Sequence, residues 1–268
     1  MSCRDSGALR FSYENFIDTA TLTAVQGQTD KEGLKNIFRG DFYRAGIASP
    51  FEILRGNFAS KKELNLIFIS GHNFTKNAKI KIIFYSENNQ GGTIQWNSHY
   101  FDAWNFSGNK DFLTWDKGFS VRYIPAIIAA KSFALFVKDP TNTHVQMERL
   151  WIGEYICPHY NMGWGTEIKS VDNSRETVLE SGSSSSDGLA IWREISFNLG
   201  FISHEDRAFF FDLFQRIGKR KDFFLSMFPE IWSEKERDYT ILAKQKNFPA
   251  MINDFYQNFS ARFELREI

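Results

Sequence analysis

The chain has 268 residues, 43% of them hydrophobic and 16% aromatic, and its 32 basic residues balance its 32 acidic ones. This length suits two domains, the apolar content excludes a disordered chain, and the aromatic content favours β structure. Because the charges balance, neither nucleic acid nor an anionic membrane is expected as the main partner. Cys3 and Cys157 lie far apart without metal-type spacing, which indicates incidental thiols. No apolar run predicts a signal peptide or a membrane span.

The first half of the chain contains short apolar runs separated by turn-rich segments, a pattern that predicts a β-sandwich of the jelly-roll type. The predicted strands are FIDTATLTAV, FEILRG, LNLIFIS, KIKIIFYS, VRYIPAIIA and SFALFVKD. Side chains two residues apart should line one face in two of these strands, namely Leu64, Leu66 and Phe68, and Ile80, Ile82 and Phe84. Proline and small polar residues at 139–146 predict a boundary, so the jelly-roll domain should span residues 1–145.

Residues 146–268 predict a second domain, an antiparallel-sheet α+β domain with one main helix. Its clearest strands are WREISFNLGFI, DFFLSMF and NFSARFELREI; in the first, one face should carry Ile195, Phe197, Leu199 and Phe201. The helix should begin after an N-cap at Ser203, bury Phe210, Leu213, Phe214 and Ile217, and stop at Gly218. The serine tract at 183–186 is too polar to become ordered alone. The whole chain is therefore predicted to be mainly β.

No catalytic constellation is visible in the sequence. The HEDR stretch at His204 lacks the second histidine of a zinc-protease helix, GWG at 163–165 is typical of a turn, and no Gly-x-Ser-x-Gly elbow occurs. The five histidines are scattered among predicted turns and strand ends. The sequence therefore predicts a protein that is not an enzyme, with no cofactor and no metal site.

One segment, from Gln95 to Asp116, has a composition that suits ligand binding. Aromatic rings stack on sugars, and amide, carboxylate and imidazole groups bond to hydroxyls. The candidate residues for a glycan-binding site or an interface are Trp96, His99, Tyr100, Trp104, Asn105 and Trp115. The alternative is that these aromatic residues belong to a strand core or to a protein interface. Asp102, Asp111 and Asp116 could also be imagined as glycosidase carboxylates, but a sequence does not give their separation in space.

The stretch ERLWIGEYICPHYNMGWGTEIKSVDNSRETVLESG, with the strand, helix and terminal strand that follow it, resembles bacteriophage tail-tip and baseplate proteins of the distal-tail or minor-tail type. This resemblance implies a structural protein of the virion, made in the host cytoplasm. It would assemble as a three- or six-fold ring with other tail proteins, namely the hub, the tail tube and the fibres. Candidate assembly residues are Ser183, Ser184, Lys219, Arg220, Lys221, Arg262 and Arg266.

The first half, from IDTATLTA through WNSHYFDAW to SFALFVKD, resembles the galactose-binding, discoidin-type jelly roll. Such a module is used for adhesion, for ligand binding and for packing, so the fold does not choose among these roles. The alternative function is therefore a carbohydrate-binding or adhesion module that acts through the jelly roll on a host-surface glycan. The two hypotheses differ for Trp104→Ala, which a structural adaptor should tolerate and a lectin should not.

Overall fold

The computed structural model describes residues 8–25, 31–35, 43–46, 51–104, 118–178, 183–188, 191–229 and 234–268. The strands are β1 (Arg10–Ser12), β2 (Thr21–Ala24), β3 (Tyr43–Gly46), β4 (Phe51–His72), β5 (Lys79–Tyr85), β6 (Ile94–Asn97), β7 (Phe101–Asp102), β8 (Gly118–Lys138), β9 (His144–Met147), β10 (Arg149–Gly153), β11 (Glu167–Asp172), β12 (Arg175–Val178), β13 (Ser184–Asp187), β14 (Ile191–Ile202), β15 (Phe223–Ser226), β16 (Thr240–Gln245), β17 (Met251–Phe255) and β18 (Asn258–Glu267). The α-helices are α1 (His204–Ile217) and α2 (Glu234–Tyr239), and short 3-10 helices span Phe16–Thr19, Lys31–Lys35 and Asn88–Gln90. The prediction of a mainly β chain is confirmed.

The chain divides into two compact units. The jelly-roll unit contains Ser12–Ile156 and Glu230–Asp238, and the helix-bearing unit contains Met1–Phe11, Cys157–Pro229 and Tyr239–Ile268. Residues 146–156, which were predicted to open the second domain, are grouped with the jelly roll because β10 pairs with β4. Whether the chain has a domain boundary after residue 145 stays a prediction.

Two long strands build the jelly-roll unit. The antiparallel sheet has the order β10-β4-β8-β5-β6, with β2 also on β4 and β7 also on β5. One half of β4 pairs with β10 and the other half with β2, while β5 pairs with the last part of β8. Side chains from both halves, such as Ile67 and Leu54, lie in one hydrophobic core. The sheet therefore curls back on itself, and the predicted jelly-roll sandwich is confirmed.

Four of the predicted strands are joined into two long strands in the structure. FEILRG and LNLIFIS both belong to β4, and VRYIPAIIA and SFALFVKD both belong to β8. The ladder between them contains register irregularities, one of them between Leu64 and Leu66. This irregularity changes which face of the sheet a side chain meets: Leu64, Ile67 and Ile69 belong to the sandwich core, whereas Leu66 and Phe68 do not, although they are buried. The prediction that positions 64, 66 and 68 share one face is wrong for this reason.

The helix-bearing unit is a second antiparallel sheet with the order β1-β15-β16-β18-β14-β11, and β17 pairs with β18. The N-cap Ser203 accepts a hydrogen bond from the Asp206 N–H at 3.1 Å, and Gly218 ends α1 with a φ of 58°. All four predicted apolar positions of α1 are buried. The rings of Phe197 and Phe263 stack at 4.9 Å within the same core. The predicted antiparallel sheet with one main helix is confirmed.

One predicted face of β14 is broken near its end. Ile195, Phe197 and Leu199 are buried, but Phe201 is 61% exposed and the adjacent Ile202 is buried instead. The ladder between β14 and β18 shifts register between Leu199 and Ile202, so the alternation reverses there.

Part of the serine tract forms a β-strand. Ser184–Asp187 pairs with Arg175–Val178 as a two-stranded ribbon, and the described side chains of both strands are exposed. Cys157 is buried and disulfide-bonded, which corrects the prediction of an incidental thiol. In the described ranges, no helix is long and apolar enough to cross a membrane.

Candidate functional site

The edge of the jelly-roll sheet is interrupted between β6 and β7, which both pair with β5. Here the Ile82 N–H donates to the Ser98 hydroxyl oxygen at 2.9 Å, so a side chain replaces part of the strand ladder. The Asn97 side-chain oxygen accepts from the His99 N–H at 2.9 Å, and His99 adopts a left-handed conformation with a φ of 53°. This local turn leaves His99 and Tyr100 exposed.

Seven residues around the interruption form the edge patch: Asn97, His99, Tyr100 and Asp102 at the edge, Lys79 and Lys81 on β5, and Phe136 on β8. The strand register pairs Asp102 with Lys79 and Lys81 with Phe136. These positions alternate with the buried residues Ile80 and Ile82, so they lie on the sheet face that points away from the core.

Lys81 holds the aromatic part of the edge patch together. Its Nζ lies 5.0 Å from the ring centroid of Tyr100 and 4.1 Å from the ring centroid of Phe136. Both distances suit cation–π attraction. The Tyr100 side chain is 38% exposed, and partial burial raises the pKa of its hydroxyl above the usual value. At neutral pH this hydroxyl is therefore protonated and can donate a hydrogen bond.

A salt bridge completes the edge patch. Lys79 Nζ lies 3.2 Å from Asp102 Oδ1, and about half of each side chain is exposed. An exposed pair of this kind adds little stability, about 0–1 kcal/mol. Its groups are therefore available to exchange partners with a ligand at small cost.

A second group of polar side chains lies on the same face. Both carboxylate oxygens of Glu52 accept from Arg55, at 2.5 and 2.8 Å, and Gln90 donates to the same carboxylate. Burial raises the pKa of the Tyr85 hydroxyl, and the negative charge of Glu52 raises it further to a smaller extent, whereas the positive charge of Arg55 lowers it. Because Glu52 and Arg55 neutralise each other, this group adds no net charge to the face.

The six residues predicted from the Gln95–Asp116 segment are not brought together as one site. His99 and Tyr100 are exposed in the edge patch. Trp96 is partly buried and packs on the sandwich core, with its ring 6.2 Å from Phe84. Trp104 is 5% exposed, and its indole Nε1 donates to two backbone carbonyls, so its ring is not available to a ligand. Asn105 and Trp115 lie outside the described residues.

Reasoning from the sequence missed Lys79, Lys81 and Phe136 as members of the site. They occur in predicted core strands, and only the sheet register brings them beside Tyr100. The run Asn97-Ser98 before His99 is typical of a side-chain-capped turn and could have indicated the interruption of the edge strand.

The seven predicted assembly residues are all exposed. Ser183 lies just before β13, and Ser184 begins it; the three basic residues 219–221 follow α1; Arg262 and Arg266 lie on β18. The guanidinium of Arg266 stacks on Trp192 at 3.8 Å, and Lys219 Nζ lies 3.2 Å from the side-chain oxygen of Asn247. Their role in assembly stays a prediction.

Among the residues that the structure describes, no group of three or more histidine, cysteine, aspartate or glutamate side chains could hold a metal ion. Asp102 is the one carboxylate of the edge patch. Of the three acids considered for glycoside hydrolysis, Asp111 and Asp116 lie outside the described residues.

No protein-family model and no curated protein matches the chain. Solved structures that are similar include the family 32 carbohydrate-binding module of NanJ from Clostridium perfringens in complex with galactose, at 12% identity and a TM-score of 0.38 over 55% of this chain and 99% of that one. A chitosan-binding module of a chitosanase/glucanase from Paenibacillus sp. IK-5 has 9% identity and a TM-score of 0.39, over 52% and 98%. The lectin binding domain of lectinolysin, complexed with Lewis b, has 10% identity and a TM-score of 0.33, over 53% and 98%.

These similar structures are carbohydrate-binding modules and a lectin domain, and none of them is a phage tail protein. The interpretation of the chain as a tail-tip or baseplate protein is therefore wrong. The hub, tail tube and fibre partners and the three- or six-fold ring were inferred from that resemblance and have no support. The virion location was inferred in the same way and stays an untested prediction.

Proposed function

We propose that this chain is a carbohydrate-binding protein that holds a glycan at the edge patch of its jelly-roll unit and does not act as an enzyme. The observation that carries the proposal is the exposed Tyr100 ring, which a break in the edge strand presents beside several hydrogen-bonding side chains. An edge strand that continued its ladder would lack this surface.

The chemistry of the edge patch fits a sugar. The face of an aromatic ring offers an apolar platform, and sugars present C–H groups on one side and hydroxyls around the rim. Lys79 and Lys81 supply donors, Asp102 supplies acceptors, and the Asn97 side chain supplies both. A protonated Tyr100 hydroxyl adds one more donor and acceptor. All of these groups reach solvent at least in part.

The same geometry supports a binding role without hydrolysis. Glycosidases of the common types use two carboxyl groups that flank the scissile bond. Asp102 is the one carboxylate of the edge patch, and it is bridged to Lys79. The next acid on this face, Glu52, is held by Arg55 and Gln90.

A glycan array followed by titration calorimetry tests the proposal. Tyr100→Ala should weaken the binding of the best array ligand at least tenfold, because stacked aromatic rings dominate such contacts, and losses of about 2 kcal/mol are common at them. Tyr256→Ala is the matched control, since that tyrosine is 90% exposed in the helix-bearing unit.

Circular dichroism should show that both variants stay folded. An array on which the wild-type protein binds no glycan would exclude the proposal. Equal affinity of the wild-type protein and Tyr100→Ala for the same glycan would exclude the edge patch as the site.

A further inference from the structure

We propose that the glycan bound at the edge patch is acidic, carrying a carboxylate or a sulfate group that binds Lys81. This inference rests on the proposed function and specifies the chemical class of its ligand. It is carried by the contact of Lys81 with the Tyr100 ring, together with a strand register that places Lys79, Lys138 and one carboxylate, Asp102, at the same corner of the sheet.

In the part of the chain that the structure describes, Lys81 is a cation without an anionic partner. Its side chain is half-buried, and its Nζ is held over the Tyr100 and Phe136 rings rather than against a carboxylate. Among the described residues, Lys81 forms no ion pair. Aromatic rings fix the position of an ammonium group but do not neutralise it. The charge therefore stays available to an incoming anion, and little side-chain entropy is lost when the anion binds.

Counted over the residues that the structure describes, the neighbouring charges make this corner of the sheet positive. The register of β5 and β8 places Lys79 directly opposite Lys138, and both side chains are exposed. Like charges opposite each other on a sheet destabilise it. Asp102 offsets only one of the three lysines, since it pairs with Lys79. The chain as a whole has a formal net charge of zero, so the excess is local.

The position of the excess charge suits a sugar acid better than a free anion. Lys81 lies beside the exposed Tyr100 ring, so one ligand can place a sugar ring on the tyrosine and its acidic substituent on the ammonium. Lysine binds such groups as a point charge and imposes no fixed fork geometry. Carboxylate and sulfate are therefore both acceptable, and a neutral hydroxymethyl group would leave Lys81 without a partner.

The test uses an array of matched pairs, in which each sialylated, uronate-containing or sulfated glycan is printed beside its neutral parent. The wild-type protein should bind the acidic member of at least one pair at least tenfold more tightly, because hydrogen bonds to charged groups contribute about 1.5–3 kcal/mol. Raising the salt concentration from 50 to 500 mM should reduce this preference, since the groups are partly exposed and are screened.

Lys81→Met keeps an unbranched side chain of similar length and removes the charged ammonium group. We expect it to weaken acidic-glycan binding about tenfold more than binding of the neutral parent, so that the acidic preference is lost. Lys61→Met is the matched control, because Lys61 is exposed on β4 outside the edge patch.

The outcomes separate this inference from the proposed function. Binding of neutral glycans only, lost in Tyr100→Ala, would overturn the acidic ligand and keep the proposed function. An acidic preference that Lys81→Met and Lys61→Met reduce equally would overturn the role of Lys81. The absence of binding to either member of every pair would overturn both proposals.

Discussion

Replacing Trp104 separates a structural role from a ligand-binding role in the jelly-roll unit. The indole is 5% exposed, and its Nε1 donates to the carbonyls of Phe74 at 3.1 Å and Thr75 at 2.9 Å. Its ring also meets His72 edge-on, with the centroids 4.7 Å apart. Trp104 thus ties the loop after β4 to the end of β7. A substitution there should act on stability, and the edge patch should keep its affinity while the protein stays folded.

The magnitude follows from what each substitution removes. Trp104→Ala leaves a cavity and removes the indole donor from the Phe74 carbonyl, whereas the Thr75 carbonyl keeps a hydrogen bond from the Ala78 N–H at 3.0 Å. Tryptophan-to-alanine changes in cores cost about 3–5 kcal/mol of the free energy of unfolding. Trp104→Phe keeps most of the ring and removes only the N–H. It should cost about 1–3 kcal/mol, which is the penalty for leaving a buried polar group unsatisfied.

Urea unfolding, followed by circular dichroism, measures both variants. Trp164→Ala is the control: Trp164 is fully exposed, and its loss should change the free energy of unfolding by about 0.5 kcal/mol or less. A Trp104→Ala protein with the urea midpoint of the wild-type chain would refute the structural role. A folded Trp104→Phe protein that had lost glycan binding would assign the indole to the site.

Three further changes test other parts of the fold. Burial lowers the pKa of His72 to about 3, against 6.5 for a free histidine, so the unfolded chain binds one more proton than the folded chain between these pH values. The free energy of unfolding should therefore be about 2 kcal/mol lower at pH 5 than at pH 7. His72→Gln should flatten this pH dependence in urea titrations. Gly56→Ala would place a methyl group against the Phe133 ring and should cost about 1–3 kcal/mol in urea unfolding, whereas Gly200→Ala meets no atom within 4 Å and should have little effect. Glu267→Gln breaks the nearly buried salt bridge between Glu267 Oε1 and Arg193 Nη2, which lie 2.7 Å apart, and should lower the free energy of unfolding by about 3 kcal/mol; a Gln variant with the urea midpoint of the wild-type chain would contradict this.

The parts of the fold that local chemistry determines could be predicted from the sequence. Helix α1 begins at its Ser203 cap and ends at Gly218, and its apolar stripe is buried as the spacing indicates. In the terminal strand, Ala261, Phe263 and Leu265 are buried as the alternation indicates. Both signals depend on residues that are close in sequence, and no distant contact is needed to read them.

The curl of the jelly-roll sheet could not be predicted in this way. Residues 59–63, with the sequence ASKKE, are polar and mostly exposed, and they look like a turn between two strands. In the structure they are the middle of β4, where the strand passes from one half of the sandwich to the other. Solvent reaches the strand there, so a polar composition is compatible with extended structure, and only the pairing with β8 reveals the continuity.

Composition also could not divide the aromatic residues into core and site. Trp96, Tyr100 and Trp104 lie within nine positions of each other, yet two of them pack inward and one is exposed. Large aromatic rings dominate cores as well as binding surfaces, so their number in a segment does not say which role they have. The deciding feature is the backbone, which a list of residue types does not contain.

Two exposed aromatic residues, one in each unit, appear where a strand loses its register. In the edge patch, the Ser98 hydroxyl takes a place in the ladder, and Tyr100 comes to the surface. In β14, the register shift before Ile202 exposes Phe201, which alternation would have buried. Keeping an aromatic ring in water forgoes the free energy of burying it, about 1.5–3 kcal/mol for a phenylalanine-sized side chain. A break in alternation that produces such a ring is therefore a better guide to a binding surface than an aromatic-rich stretch of sequence, because it marks where the fold gives up stability.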